Sequence, residues 1–466
     1  MAVKIKPLFF WTEPIKEIIW DSFGWVVIFL IILWIPFLRV WWWVFLPLLL
    51  SIKLRELYLW WMNWDFAYAN LKWDMLEIIP PQENLVPVKA MEDVFSLVWT
   101  IWDNPTWREK MCSGELDWVP FWCSWEIVSI EGKIHFYLRV PSGNRLTIES
   151  ALYAHYPDIE IKEVSDYTKL IPPTAPNEEW DVYGEDYILA KNNVLPIKTY
   201  EKFFEPQGEK ISAEEKRMDP IISLLEGLSK LGSGEHFWLQ FITMPTNKDV
   251  DEPEFAREAT SLINKISKRP EKKELSFMED LLYLLKQIVF GPQKEGSGDK
   301  ATYSWVPAQK EETGEREMVL TPGEREIITE VENKMKKPLF RTVIRGLYVA
   351  KRDNFNSAHK AVARAYFAHF SSLNMNRIQL NPPTRPKVHY IMRKRRIFIR
   401  TRKIFKNAIL RLTPLFPDRK SYVSIYSIEE MATLFHFPLR ITGMVSPTMQ
   451  KIESKKAGPP PNLPIE

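Results

Sequence analysis

The richest run of charged side chains is residues 393–406, RKRRIFIRTRKIFK. Arg393, Lys394, Arg395, Arg396, Arg400, Arg402, Lys403 and Lys406 supply positive charge, with Ile397, Phe398, Ile399, Ile404 and Phe405 threaded between them. The run lies within a longer stretch, Arg377 to Pro417, that holds a dozen lysines and arginines and no acid. The chemistry available here is non-covalent. Such a cluster neutralises nucleic-acid phosphates, sits on anionic lipid headgroups, or meets an acidic protein neighbour as a solvated face. Nothing around it points to reading of base edges.

Covalent chemistry is poorly supplied. A P-loop needs GxxxxGK[ST], whose amides cradle phosphate. Gly232-Ser233-Gly234 and Gly296-Ser297-Gly298 lack the Lys-Ser/Thr ending. There is no GxSxG elbow. The seven histidines show neither HExxH nor the paired His/Cys spacing of zinc sites. His369 and His436 fall in apolar helical settings and read as core histidines. Glu429 and Glu430 stand beside a helix start, where capping accounts for them. The two cysteines, Cys112 and Cys123, form no CxxC and are too few for a disulfide framework, which fits a reducing cytoplasmic compartment. No catalytic residue, metal site or cofactor is predicted. The net charge of +3 over 466 residues decides nothing about partners, so the uneven placement of charge carries the signal.

The elements that position this run begin with an apolar segment, residues 24–52, interrupted only by Arg39. A bilayer-crossing helix needs about twenty such residues. Trp41, Trp42, Trp43, Trp60, Trp61 and Trp64 flank it as an interfacial belt would. Lys4, Lys6 and Lys16 precede it, and Lys53 and Arg55 follow, so both ends are expected in the cytoplasm. The expectation is a membrane anchor over residues 1–66, formed as a transmembrane helical hairpin with Arg39 near its tip and followed by a juxtamembrane helix.

Residues 70–166 read as strand (71–79), helix (90–101), a hairpin over 125–140 turning at Glu131–Gly132, helix (145–156) and strand (158–164). This β-α-β-β-α-β order predicts a ferredoxin-like unit. Within the hairpin, KIHFYLRV places His135, Tyr137 and Arg139 on one face, a faint echo of an RNA-recognition platform without its glycines. Residues 181–437 repeat the order: a strand at 183–190, a helix opened by Asp219–Pro220 and closed by Gly232, strands at 237–244 and 339–350, a helix over 355–370 with Ala358, Val362, Ala365, Tyr366 and His369 on one side, and a strand at 422–426. Ser427 and Glu430 cap a last helix. A helical insertion at about 253–336 interrupts this unit, with helices near 254–268, from Ser276 and near 323–335, and a flexible loop at 291–320. A Pro-rich linker, 438–466, follows. The predicted fold class is therefore α+β: a transmembrane hairpin and two ferredoxin-like units, the second carrying a helical insertion.

Four blocks together, IVSIEGKIHFYLRVP (127–141), ALYAHYPDIEIKEVSDY (151–167), SIEEMATLFHFP (427–438) and IESKKAGPPPNLP (452–464), resemble a family of membrane-anchored proteins from candidate-phyla bacteria. In that family the blocks precede a conjugative-transfer, type IV secretion-like motor domain of the HerA–FtsK ATPase class. Here the Pro-rich tail reaches Glu466 about where that domain would begin, so no nucleotide-binding residue carries over. The resemblance implies a non-catalytic membrane-tethering and assembly component of a DNA-translocation motor at the bacterial inner membrane, with its soluble part in the cytoplasm. Its implied partners are membrane lipid, a separate P-loop ATPase, further copies of itself and nucleic acid. A membrane-surface nucleic-acid binder, or an enzyme with an unrecognised site, is the alternative.

Overall fold

Period-two patterning delivers the first four strands, β1 (Trp73–Ile79), β2 (Cys123–Ile130), β3 (Lys133–Pro141) and β4 (Glu160–Glu163). Helix α1 (Lys89–Trp99) follows β1, and α2 (Arg145–His155) joins β3 to β4. The turn between β2 and β3 has both central residues left-handed, Glu131 at φ 52° and Gly132 at φ 83°, as a two-residue hairpin of this twist requires. A Cβ on Gly132 would lie 2.8 Å from the Leu231 carbonyl oxygen and 2.9 Å from that of Ser229. Only glycine fits there.

This computed structural model describes residues 70–439, apart from 82–83, 105, 107–119, 205–218, 268–292, 296–301, 305–319, 373, 389–391 and 413–422, together with isolated positions between 30 and 68. The second half contains β5 (Trp180–Leu189), α3 (Tyr200–Phe204), α4 (Pro220–Ser229), β6 (Glu235–Thr246) and α5 (Pro253–Ile266). It continues with β7 (Gln293–Glu295), β8 (Thr302–Ser304), α6 (Pro322–Lys336), β9 (Leu339–Lys351), α7 (Val362–Ala368) and β10 (Ile378–Leu380). Last come α8 (Arg393–Leu410), β11 (Ser424–Ser427) and α9 (Ile428–Leu434).

The expected pair of ferredoxin-like units is corrected by the sheet. Strand β2 pairs antiparallel with β6, from Cys123 opposite Thr243 to Ile130 opposite His236. One nine-stranded antiparallel sheet results, in the order β10-β5-β9-β6-β2-β3-β1-β4, with β11 also on β9. The physical reason is visible in the strands that meet. Both are buried along nearly their whole length on both faces, so neither makes a tolerable sheet edge. The last strand also differs: β10 pairs with β5, whereas the segment expected in that place is β11, which pairs with the start of β9.

The transmembrane hairpin is corrected too. Among the described residues no helix is long and apolar enough to cross a membrane. The longest of the helices above, α8, has 18 residues and is cationic, which is the wrong composition for hydrocarbon. Most of the segment 1–66 that carried this expectation lies outside the described residues, as do the helix from Ser276 and the linker beyond Leu439. Within the loop expected at 291–320, β7 and β8 pair as a short hairpin.

Helices α1, α2, α4, α7 and α9 cover one face of the sheet over a core that includes Phe95, Trp125, Phe136, Tyr366 and Phe435. The other face is covered by α8 and the segment around Tyr167, Ile171 and Ala175, which pack on Trp238 and Leu347. The inserted α5 and α6 pack through Phe255, Ala259 and Val331 onto Leu339 and Ile425 of the same chain. Residues 355–370 turn inward through Ala363, Tyr366, Phe367 and Phe370; of the predicted stripe Tyr366 is buried and Val362 partly so, while Ala358, Ala365 and His369 are exposed. The left-handed glycine after α4 is Gly234, at φ 74°, rather than Gly232.

Gly132→Ala is expected to lower stability by about 2 kcal/mol, from left-handed strain and the two carbonyl contacts. Gly143→Ala, whose added Cβ meets nothing within 4 Å, should stay within about 0.5 kcal/mol of the parent. Urea denaturation of the two variants checks both values.

Candidate polyanion interface

Successive side chains in a strand alternate between faces, so the register dictates which residues share a row. Glu77, Tyr137, Glu126, Gln240, Arg345 and Asp186 are cross-strand partners in sequence across β1, β3, β2, β6, β9 and β5. They form a polar row through the middle of a buried face, where every such group needs a partner. Arg345 Nε donates to Asp186 Oδ1 at 2.8 Å. Glu126 accepts from the Ser124 and Tyr167 hydroxyls, each at 2.6 Å. Gln240 Nε2 donates to the Tyr167 hydroxyl at 2.9 Å.

Helix α8 is docked on this row by its C-terminal end. The last carbonyls of a helix have no intrahelical donor, and here each of four has an external one. Arg345 Nη1 donates to Asn407 O at 2.8 Å, Gln240 Nε2 to Ala408 O at 3.1 Å, Arg411 Nη1 to Ile409 O at 3.2 Å and Arg139 Nη1 to Leu410 O at 3.5 Å. Three of these donors are guanidiniums, which suit the negative end of the helix dipole. Arg411 itself turns left-handed, at φ 49°, so that Leu412 N reaches Asn407 O at 3.0 Å and closes the helix.

The Arg411 guanidinium is fully buried. Its Nε stands 2.8 Å from Glu126 Oε1 and its Nη1 stands 2.5 Å from Asp166 Oδ2. Burial works against its charge, and Glu126, Tyr167 and Asp166 more than reverse that. Burial likewise pushes the Asp166 carboxyl up, but Arg411 and the Thr168 amide and hydroxyl hold it down at about 2.

From this socket α8 runs across the sheet. Its buried stripe is Thr401, Ile404, Phe405 and Ala408. Phe405 stacks on Trp238 with ring centroids 5.9 Å apart. Ile404 lies over Gly184, where an added Cβ would approach its Cγ2 to 2.7 Å. Beyond Thr401 the helix passes the β5 edge, and Arg400 Nη1 donates to Arg385 O at 3.0 Å in the segment after β10.

The eight basic residues singled out in the sequence all lie on this one helix. Arg393, Lys394, Arg395, Arg396 and Arg402 are exposed, and Arg400, Lys403 and Lys406 are half-buried. At 100° per residue, Arg395, Arg396, Arg402, Lys403 and Lys406 fall opposite the buried stripe, a cationic track about 18 Å long. Met392, Phe398 and Ile399 are exposed on the same projecting half. Four consecutive cations occupy the first turn, at the positive end of the helix dipole, with no acid among them. That placement is unfavourable in isolation and becomes favourable against an anionic partner.

The residues that hold the helix were not singled out in the sequence. Arg411 lies inside the acid-free stretch, and Glu126 is the one charged residue of β2. Those are the two signals available, and only the register joins them. The RNA-platform echo has an internal explanation. His135 pairs with Glu77 at 2.6 Å, Tyr137 stacks on Tyr167, and Arg139 holds Leu410 O. Elsewhere, His436 Nδ1 faces Ala432 O and its Nε2 faces Asp219 Oδ1, both at 2.9 Å. With acceptors on both sides the ring carries two protons. Lys334 is buried 2.9 Å from Glu430, so Glu430 neutralises a lysine as well as capping α9. Burial raises the Cys123 thiol to about 12, which leaves it a poor nucleophile. Among the described residues no group of three or more His, Cys, Asp or Glu is placed to hold a metal ion.

No protein-family model matches the chain, and no curated protein matches it.

Arg411→Ala leaves two carboxylates without their cation and is expected to cost about 3–5 kcal/mol in urea denaturation. Adding Glu126→Gln should then destabilise by less than the sum of the two single changes. The His436–Asp219 pair has the opposite pH sense to an ordinary carboxylate pair. Burial lowers the imidazole, and Asp219 more than reverses this, so its pKa is raised on folding. Its stabilisation is fully present below the unfolded value of about 6.5 and is lost as pH rises through the folded one. Melting temperature followed from pH 5 to pH 9 should fall on the alkaline side in the parent and flatten in His436→Gln.

Proposed function

We propose that the protein is a non-catalytic assembly component of a type IV secretion-like or conjugative DNA-translocation machine. It acts beside a separate P-loop ATPase, and α8 is the surface on which it meets nucleic acid. The observation that supports this best is the division of α8: a C-terminal half locked into the sheet by guanidiniums, and an N-terminal half that carries four consecutive exposed cations, Arg393 to Arg396. A rigid track of this kind neutralises a phosphate backbone without reading its sequence. The motor context rests on the resemblance of the four sequence blocks. A peripheral position at the cytoplasmic face of the inner membrane is a second reading, favoured by exposed Met392, Phe398 and Ile399 beside the arginines.

The test is fluorescence anisotropy with a labelled 30-nucleotide strand and the matching duplex over a salt series. Replacing Arg393, Lys394, Arg395 and Arg396 together by Gln should weaken binding about tenfold or more and flatten the salt slope by about 3. A parent protein that ignores DNA but floats with phosphatidylserine vesicles moves the assignment to lipid. Capture from native membranes that recovers no P-loop ATPase removes the motor partner.

A further inference from the structure

A second cationic cluster stands where α8 leaves the sheet. Its centre is Tyr183 on β5, in the part of that strand that β10 does not pair with, since β10 reaches only Tyr187 to Leu189. Three cations converge on this phenol. Arg364 Nη2 donates to its hydroxyl at 3.0 Å. Lys360 Nζ lies 4.7 Å from the ring centroid and 4.6 Å from that of Phe355. Arg385 also reaches the hydroxyl.

One buried carboxylate, Glu185, sits among them, and its hydrogen-bonding capacity is taken. Arg364 donates to both oxygens, Nε to Oε2 at 2.9 Å and Nη2 to Oε1. The Tyr183 hydroxyl donates to Oε1, and the Tyr187 hydroxyl to Oε2 at 3.1 Å. Arg385 Nε remains 3.9 Å from Oε1, beyond hydrogen-bond reach, and is a buried nitrogen without a hydrogen-bond partner. The other nearby acid, Asp181, accepts from the Val182 amide and meets Lys360 only at longer range.

The buried ion pairs of the described residues are balanced differently. Arg411 has Glu126 and Asp166, Arg345 has Asp186, Lys334 has Glu430, and Lys337 has Glu92 and Glu429. Around Tyr183 three cations share one saturated carboxylate, and Arg364 and Arg385 are each about one-third exposed. The cluster is also joined to the α8 track, because Arg400 holds the Arg385 and Lys387 carbonyls.

We infer that Arg385 and Lys360 form a site for one backbone phosphate of the nucleic acid that lies along α8, taking the strand round the open edge of β5. This rests on the proposed function. Lys360 over the Tyr183 ring and Arg385 at its hydroxyl place an ammonium and a one-third-exposed guanidinium around one side chain, a pairing that suits a phosphate oxygen set.

The experiment uses the full chain and the labelled 30-nucleotide strand. Arg385→Gln and Lys360→Gln should each weaken binding about threefold to tenfold and lower the salt slope by about one. Arg385→Lys should keep the slope. Circular dichroism melts confirm that the variants fold. If both Gln variants bind as the parent does while the four-residue α8 variant is weakened, the inference is overturned and the proposed function stands. If none of the variants differs from the parent, both fail. If inorganic phosphate raises the melting temperature of the parent but not of Arg385→Gln, while strand binding is unchanged in that variant, the site takes free phosphate and the backbone assignment is overturned.

Discussion

A guanidinium removed from water must be neutralised where it lies, and Arg411 imposes that condition on three separate parts of the chain. Glu126 comes from β2 in the first half, Asp166 from the segment between the halves, and Arg411 from the end of α8 in the second half. Arg411 is fully neutralised only when both carboxylates are in place. An isolated surface ion pair contributes little, but this one is buried and hydrogen-bonded at both carboxylates. Loss of its cation would strand Glu126 in a dry interior and leave the quarter-exposed Asp166 without its ion partner. The sheet, the covering segment and the helix therefore form together.

That requirement also gives α8 its unequal ends. The C-terminal carbonyls consume Arg139, Arg345 and Gln240 from the sheet and Arg411 from the helix's own cap, so the negative end of the helix is met. The positive end receives the opposite treatment, with Arg393 to Arg396 placed where the dipole disfavours them. A helix held only by its own propensity would fray at such a terminus. Here the tertiary socket supplies the stability. Buried titratable groups often mark catalysis, but Arg411, Lys334 and His436 each sit in a closed set of partners. Their chemistry is spent on holding elements together.

Local signals in the sequence were readable wherever the physics was local. Glu131–Gly132 specifies its hairpin because only two left-handed residues turn that way, Asp219–Pro220 starts α4, and Ser427 with Glu430 caps α9. The basic helix was legible as a cluster of charge. Its anchoring was not, because Arg411 and Glu126 are far apart in sequence and only the strand register brings them together. The fusion of the two halves was missed for a related reason. Burial on both faces marks β2 and β6 as central strands, but it does not say which strand each will pair with. The stripe on residues 355–370 was out of phase because short 3-10 turns at Arg352–Asn354 and His359–Ala361 precede α7 and reset the helical period.

The polar row supplies what apolar packing alone would leave open along that junction. Side chains on a strand repeat every two residues, so sliding β6 by one place against β2 would exchange its two faces. The opposite face is apolar over most of this contact, and an apolar residue tolerates either side. Glu126 and Gln240 do not. A slip would send Gln240 toward the Trp125 and Phe435 side, where no Tyr167 hydroxyl or α8 carbonyl waits for it, and a buried amide without partners is costly. The row thus specifies the register of the two halves, and through Ala408 it specifies the seat of the cationic helix as well. The charged helix therefore cannot shift unless the junction between the halves does.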